Sequence, residues 1–145
     1  MRALRLLPVW VCALWWGSLT TIGALVVPLL FATLPTPALA GNMAARLFSA
    51  QTWLSVGCGL ALLLVLRSKR TPEPAQSATT AMLFIAGGMI LALLVEFAVA
   101  PHIVARDNLA VWHRVGTAMY VAQWLCATRV FAWGVSRQQA PARGD

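Results

Sequence analysis

Four long apolar stretches, at 6–34, 38–66, 81–100 and 109–135, occupy most of this 145-residue chain. A helix needs about 20 mainly apolar residues to cross the hydrocarbon core of a bilayer, and each stretch meets that length. With 60% hydrophobic and 10% charged residues, a water-soluble domain of this size would lack the polar surface to cover itself. The pattern predicts an all-α protein: a four-helix transmembrane bundle, one integral membrane domain over residues 1–145, with the lipid bilayer as its first partner. The connector 67–80, which holds Pro72, Glu73, Pro74, Gln76 and Ser77, reads as a flexible cytoplasmic loop. The polar residues 136–145 read as a disordered tail.

A net charge of +7 would ordinarily raise nucleic acid as a partner. None is expected here, because the basic residues form no continuous stripe and gather instead at the ends of the apolar stretches. Arg2, Arg5, Arg67, Lys69, Arg70, Arg137 and Arg143 fall on one side; Arg46, Arg106 and Arg114 fall on the other. Arg129 lies in the last turns of the fourth stretch, near the richer side, where a long side chain can snorkel. The positive-inside rule then places the N- and C-termini in the cytoplasm of a multi-pass inner-membrane protein. Residues 1–5 and Ala38-Leu39-Ala40 imitate a signal peptide, but the apolar run between them is about twice the ~7–15 residues of such a segment. Pro35-Thr36-Pro37 therefore reads as a turn between two spans. Cys12, Cys58 and Cys126 sit in different spans without close spacing and read as small buried hydrophobes.

Each span carries a face of small or polar residues. Gly17, Thr21, Ala24 and Pro28 recur at helical spacing in the first; Ser55, Gly59 and Leu63 in the second; Gly88 and Ala92 below Glu96 in the third; His113, Gly116, Tyr120, Gln123 and Ala127 in the fourth. Such faces let helices approach closely, since packing rather than hydrophobicity drives association in lipid. Pro28 should kink the first helix near its outer end, and Asp107 or Asn108 can cap the fourth. Of the seven tryptophans, Trp10, Trp112 and Trp133 suit the membrane boundaries, while Trp53 and Trp124 lie deeper.

Glu96 is the acidic residue set inside a span, where a carboxylate costs several kcal/mol unless paired, protonated or hydrated. Counting along the helices from their outer ends places Arg46, Gln51 and His113 at comparable depth. The expected polar site is therefore Arg46, Gln51, Glu96 and His113, with Arg46–Glu96 as an ion pair. A buried pair of that kind can also serve register alone. His102 and His113, the two histidines, are the candidate ligands for haem or copper, although no metal-ligand spacing accompanies them. Catalytic signatures such as Gly-x-Ser-x-Gly, His-Glu-x-x-His or a phosphate-binding loop are absent, so the chain reads as non-enzymatic.

Trp15-Trp16-Gly17-Ser18-Leu19, Pro28-Leu29-Leu30-Phe31, Ala40-Gly41, Arg46-Leu47-Phe48, the segment 96–101 and Trp112-His113-Arg114 with Gly116 and Tyr120 together resemble the bacterial membrane family called domain of unknown function 4149. That family is similar to eukaryotic transmembrane protein 205. The resemblance implies a four-helix membrane protein. The first functional reading is an inner-membrane protein that aids solute or toxic-ion tolerance through its small polar site. The second is a haem- or copper-binding membrane protein. The third is an assembly or packing subunit, acting as a homo-oligomer or with a membrane partner.

Overall fold

A computed structural model describes residues 2–68 and 75–139, all of them helical or in the short turns between helices. The order is α1 (Arg2–Thr21), a π-helical turn (Ile22–Val26), α2 (Val27–Thr33), α3 (Pro37–Ser68), α4 (Ala75–Leu94), a second π-helical turn (Val95–Val99), α5 (Ala100–Val104) and α6 (Leu109–Gln139). No strand occurs among the described residues. Three continuous helical segments are long and apolar enough to cross a membrane: Leu6–Thr33, Pro37–Arg67 and Ser77–Val104. They mark a membrane protein. At 31 residues α6 matches them in length, but His113, Arg114, Gln123 and Arg129 lower its apolar content.

α1 packs on α3 and α6, and α4 packs on the same two helices. The contacts run antiparallel: along α1 and α6, Cys12 faces Gly134 and Gly23 faces Tyr120; along α4 and α6, Ser77 meets Trp133 and Val99 meets Gly116. The start of α1 and the end of α6 thus lie at one end of the packed helices. The interior is inverted relative to a water-soluble protein. Gln51, Thr52, Ser55 and Gln123 are buried, whereas Leu64 is 68% and Leu83 69% exposed. Large outward apolar side chains of that kind occur on all four long helices, which suits a hydrocarbon solvent and not water.

Local chemistry explains where the helices begin and bend. Thr36 caps α3, accepting the Leu39 amide on Oγ1 at 3.2 Å, and Pro37 takes the first helical position, where its missing N–H costs nothing. Each π-helical turn ends two residues before a proline, at Val26 before Pro28 and at Val99 before Pro101. A proline removes one helical donor and its ring crowds the carbonyl four residues back. The residue before it donates instead five residues back, Val27 to Ile22 and Ala100 to Val95. Pro101 therefore does not close its helix at residue 100, and the helical path continues to Val104.

Two further sequence expectations are corrected here. Residues 67, 68 and 75–80 of the expected loop are helical, as are 136–139 of the expected tail; 69–74 and 140–145 lie outside the described residues. The helices extend because their polar ends find partners: Trp133 Nε1 donates to Ser77 Oγ at 3.0 Å, and Ser136 Oγ to the Ala132 carbonyl at 2.9 Å. The small face of the first span also points outward. Thr21, Ala24 and Pro28 are exposed, and a Cβ added at Gly17 would meet nothing within 4 Å. The inward face of α1 is Cys12, Trp15 and Leu19, packed with Cys58, Leu62, Ile85, Ala127 and Val130.

Trp15 is fully buried, and its indole N–H has no hydrogen-bond partner. Its six-membered ring lies on Gly88, where an added Cβ would come within 2.8 Å of two ring carbons. At Gly59 the nearest obstructing atoms are Sδ and Cγ of Met89, a flexible side chain that can change rotamer. Gly88→Ala is therefore expected to cost about 1–3 kcal/mol by overpacking a rigid ring, and Gly59→Ala clearly less. Thermal unfolding of the two variants in detergent checks the ranking; equal losses would show that Trp15 is free to shift.

Candidate functional site

At the centre of the packed helices, α1, α3 and α6 each contribute a polar side chain to one network. Gln51 Nε2 donates to Ser18 Oγ at 3.0 Å and to Ser55 Oγ at 3.2 Å; Gln123 Nε2 donates to Ser55 Oγ at 2.9 Å. Ser18 in turn donates to the Trp15 carbonyl at 2.9 Å. Gln51 and Ser55 are one helical turn apart on α3, so both face the same seam. Ser55 is fully buried and accepts from two amides at once.

A second set of bonds ties α1 to α6. Trp16 Nε1 donates to Thr128 Oγ1 at 3.0 Å, and Trp124 Nε1 donates to Thr20 Oγ1 at 2.9 Å. Each threonine hydroxyl passes its own proton to the carbonyl of the tryptophan four residues earlier. Two Trp-x-x-x-Thr segments on antiparallel helices thus clasp each other reciprocally. Sequence reasoning missed this pair, although the repeated spacing at Trp16/Thr20 and Trp124/Thr128 was there to be read.

Towards the end away from the termini, the network meets the π-helical turns. Tyr120 donates its hydroxyl to the Leu19 carbonyl at 2.8 Å, the acceptor that the Gly23 amide would face in a regular α-helix. Its ring stands against Gly23, where a Cβ would meet it at 2.8 Å. The corresponding carbonyl before the second turn is Ala92, which faces Thr52 Oγ1 at a long 3.5 Å. Glu96 lies within that second turn. Ser49 Oγ lies 2.7 and 3.0 Å from its two carboxylate oxygens, and Ser49 is its hydrogen-bond partner from the opposing helix α3.

The four expected site residues do not converge as one cluster. Gln51 is buried in the central network, and Glu96 is half-buried on Ser49. Arg46 lies a turn before Ser49 on α3 with its side chain exposed, and it forms no ion pair with Glu96; His113 is also exposed. The expected Arg46–Glu96 pair is corrected to a Ser49–Glu96 bond. Depth counting alone cannot set helix rotation, and rotation presents Ser49 rather than Arg46 to α4. The ion pair among the described residues is His102–Asp107, at 3.4 Å between Nδ1 and Oδ2.

His102 belongs to α5 and stacks on Trp112, with centroids 4.0 Å apart and planes 2° from parallel. Its ring therefore engages the neighbour of His113, not His113 itself. Neither Asp107 nor Asn108 caps α6 with its side chain. The Asn108 carbonyl takes the Val111 and Trp112 amides, while the Asp107 amide returns to the His102 carbonyl. Arg106 and Asn108 both adopt positive φ, 56° and 42°, to make this tight turn. No group of three or more His, Cys, Asp or Glu side chains suited to a metal ion occurs among the described residues.

The family model described as Domain of unknown function (DUF4149) matches residues 10–111. The match takes in Ser18, Ser49, Gln51, Ser55 and Glu96, and ends two residues before His113. No curated protein and no solved structure matches the chain.

Ser55→Ala removes the acceptor shared by Gln51 and Gln123. Leaving buried amide hydrogens unsatisfied costs about 1–3 kcal/mol, so this variant is expected to melt well below the parent in detergent. Ser18→Ala leaves Gln51 bonded to Ser55 and is expected to cost less. Indistinguishable melting of Ser55→Ala and the parent would mean that the network adds nothing to stability.

Proposed function

The chain belongs to the DUF4149 family, and from that premise we propose that it is a non-enzymatic four-span bundle of a bacterial inner membrane, with both termini cytoplasmic. In this reading it takes up a cationic solute at Glu96 and so contributes to tolerance of toxic cations. The observation that carries the reading is the state of Glu96. Its carboxylate can accept about four hydrogen bonds, yet it has a serine hydroxyl beside it and, among the described residues, no cationic side chain in ion-pair contact. A carboxylate placed inside a span is costly unless something neutralises it, and a cationic solute would do so. Likeness to eukaryotic transmembrane protein 205 would rest on residues of the same stretch. A haem or copper centre on His102 and His113 would have Nε2 of His102 to use, since Nδ1 lies 3.4 Å from Asp107 Oδ2.

A deletion strain challenged with metal salts and quaternary ammonium compounds tests the proposal. Wild type is expected to restore growth, Glu96→Gln to fail at equal membrane abundance, and Ser49→Ala to restore it in part. Full rescue by Glu96→Gln would remove Glu96 from the function.

The outward small face of α1 favours a second reading, an assembly subunit. Gly17 is open to close approach, and Thr21 and Ala24 are exposed beside it; small residues at this spacing let helices pack in lipid. Gly17→Leu is expected to abolish crosslinking between copies in native membranes while leaving the melting temperature unchanged. Unaltered crosslinking would discard this reading.

A further inference from the structure

At the end of the packed helices that carries the termini, far from Glu96, a cleft of about 420 Å³ lies between α4 and α6. Its volume falls within the ~300–1,000 Å³ typical of small-molecule sites. The floor is apolar: Ala81 and Val130 are both buried. Phe84 and Trp133 stand beside it, and the Trp133 indole is fixed by its bond to Ser77. Arg129 also lines the cleft, exposed, with its guanidinium 5.8 Å from the centre of the Phe84 ring. A second cation, Arg137, lies 4.7 Å over the Trp133 ring.

Arg129 has no carboxylate partner among the described residues. Its contact with Phe84 is a cation–π interaction near the distance limit of ~6 Å and offsets little of a charge placed in hydrocarbon. Phe84 lies seven residues beyond Ser77, roughly 10 Å along α4. The cation is therefore held inward of the helix ends, at a depth that a lipid headgroup region reaches. An apolar floor beside the Arg129 guanidinium complements a molecule with an anionic head and an apolar body.

We propose that this cleft binds an anionic membrane phospholipid, with its phosphate against Arg129 and its glycerol and first acyl carbons over Ala81 and Val130. Basic pockets between spans on the cytoplasmic side are suited to such headgroups. Guanidinium groups also meet phosphate oxygens in a matching fork. The site is independent of Glu96 and requires only that α4 and α6 lie in a bilayer.

Native mass spectrometry of the full chain in neutral detergent, supplied with dioleoyl phosphatidylglycerol or dioleoyl phosphatidylcholine, tests it. The wild-type chain is expected to retain the anionic lipid and not the zwitterionic one. Arg129→Gln is expected to weaken retention about fivefold, the contribution of one basic residue near an anionic surface, with Glu96→Gln unchanged. Arg129→Lys keeps the charge and should recover most of the loss, which separates a lost ligand contact from a damaged fold. Equal retention of the two lipids, or retention indifferent to Arg129→Gln, would overturn the proposal. Displacement of the lipid by millimolar inorganic phosphate would also overturn it, assigning the cleft to a free anion instead.

Discussion

The structure depends on hydrogen bonding between side chains that lipid would leave unsatisfied. In water, helices associate by burying apolar faces, but in hydrocarbon the tails outside are as apolar as leucine, and that drive is absent. What remains is close packing and the need of polar groups to find one another. Both are visible in one layer of this molecule. Trp15 packs closely on Gly88, and beside it Ser18, Gln51, Ser55 and Gln123 bond across three helices. Each such bond is modest, ~0.6 kcal/mol on average in one membrane protein. Their value here lies as much in specificity, since the seam closes in one helical rotation only.

The two helical paths that contain a π-helical turn share a plan. Ile22 and Val95, which open the π-helical turns, are 73 residues apart, and so are Pro28 and Pro101. α1 and α4 are both 20 residues long, and the return helices α3 and α6 have 32 and 31 residues. The carbonyls of Leu19 and Ala92, at the same offset, each face a hydroxyl from a return helix, Tyr120 and Thr52. The chain is thus two helical hairpins of one design. Where the first hairpin has Gly23, which admits the Tyr120 ring, the second has Glu96. The departure from the shared plan falls at the residue that brings a carboxylate into the interior.

Much of this was legible from residue spacing. The helical spans follow from apolar length, and the inward stripe of α6 from Gly116, Tyr120, Gln123 and Ala127, which meet Val99, Gly23, Ser55 and the central core as the pattern implies. His113 shares the stripe yet is exposed, near the start of α6, where it is its neighbour Trp112 that stacks on His102. The Arg46–Glu96 pairing failed for a related reason. Depth is a one-dimensional quantity that sequence supplies, whereas facing requires the rotation of two helices. A three-residue shift along α3 replaces a guanidinium by a hydroxyl. The small face of α1 misled in the same way: spacing shows that a face exists, but Trp15 and Leu19 at i and i+4 made an equally good one, and the larger side chains took the interior.

Glu96 and Arg129, both within the helical paths, share one condition at opposite ends. Glu96 has a hydroxyl where a cation would satisfy it more fully, and Arg129 has an aromatic ring where an anion would do so. They cannot relieve each other. Glu96 lies in the turn after α4, and Arg129 packs beside Phe84, twelve residues earlier on the same path and roughly 18 Å away along the axis. At that separation, with an apolar core of Trp15, Leu19 and Ile85 between, no side-chain movement brings the two together. Neither group can therefore neutralise the other, and each is left to the chemistry of its own end of the packed helices. The same constraint that drives Gln51 and Gln123 onto Ser55 leaves these two groups turned toward what lies outside the chain.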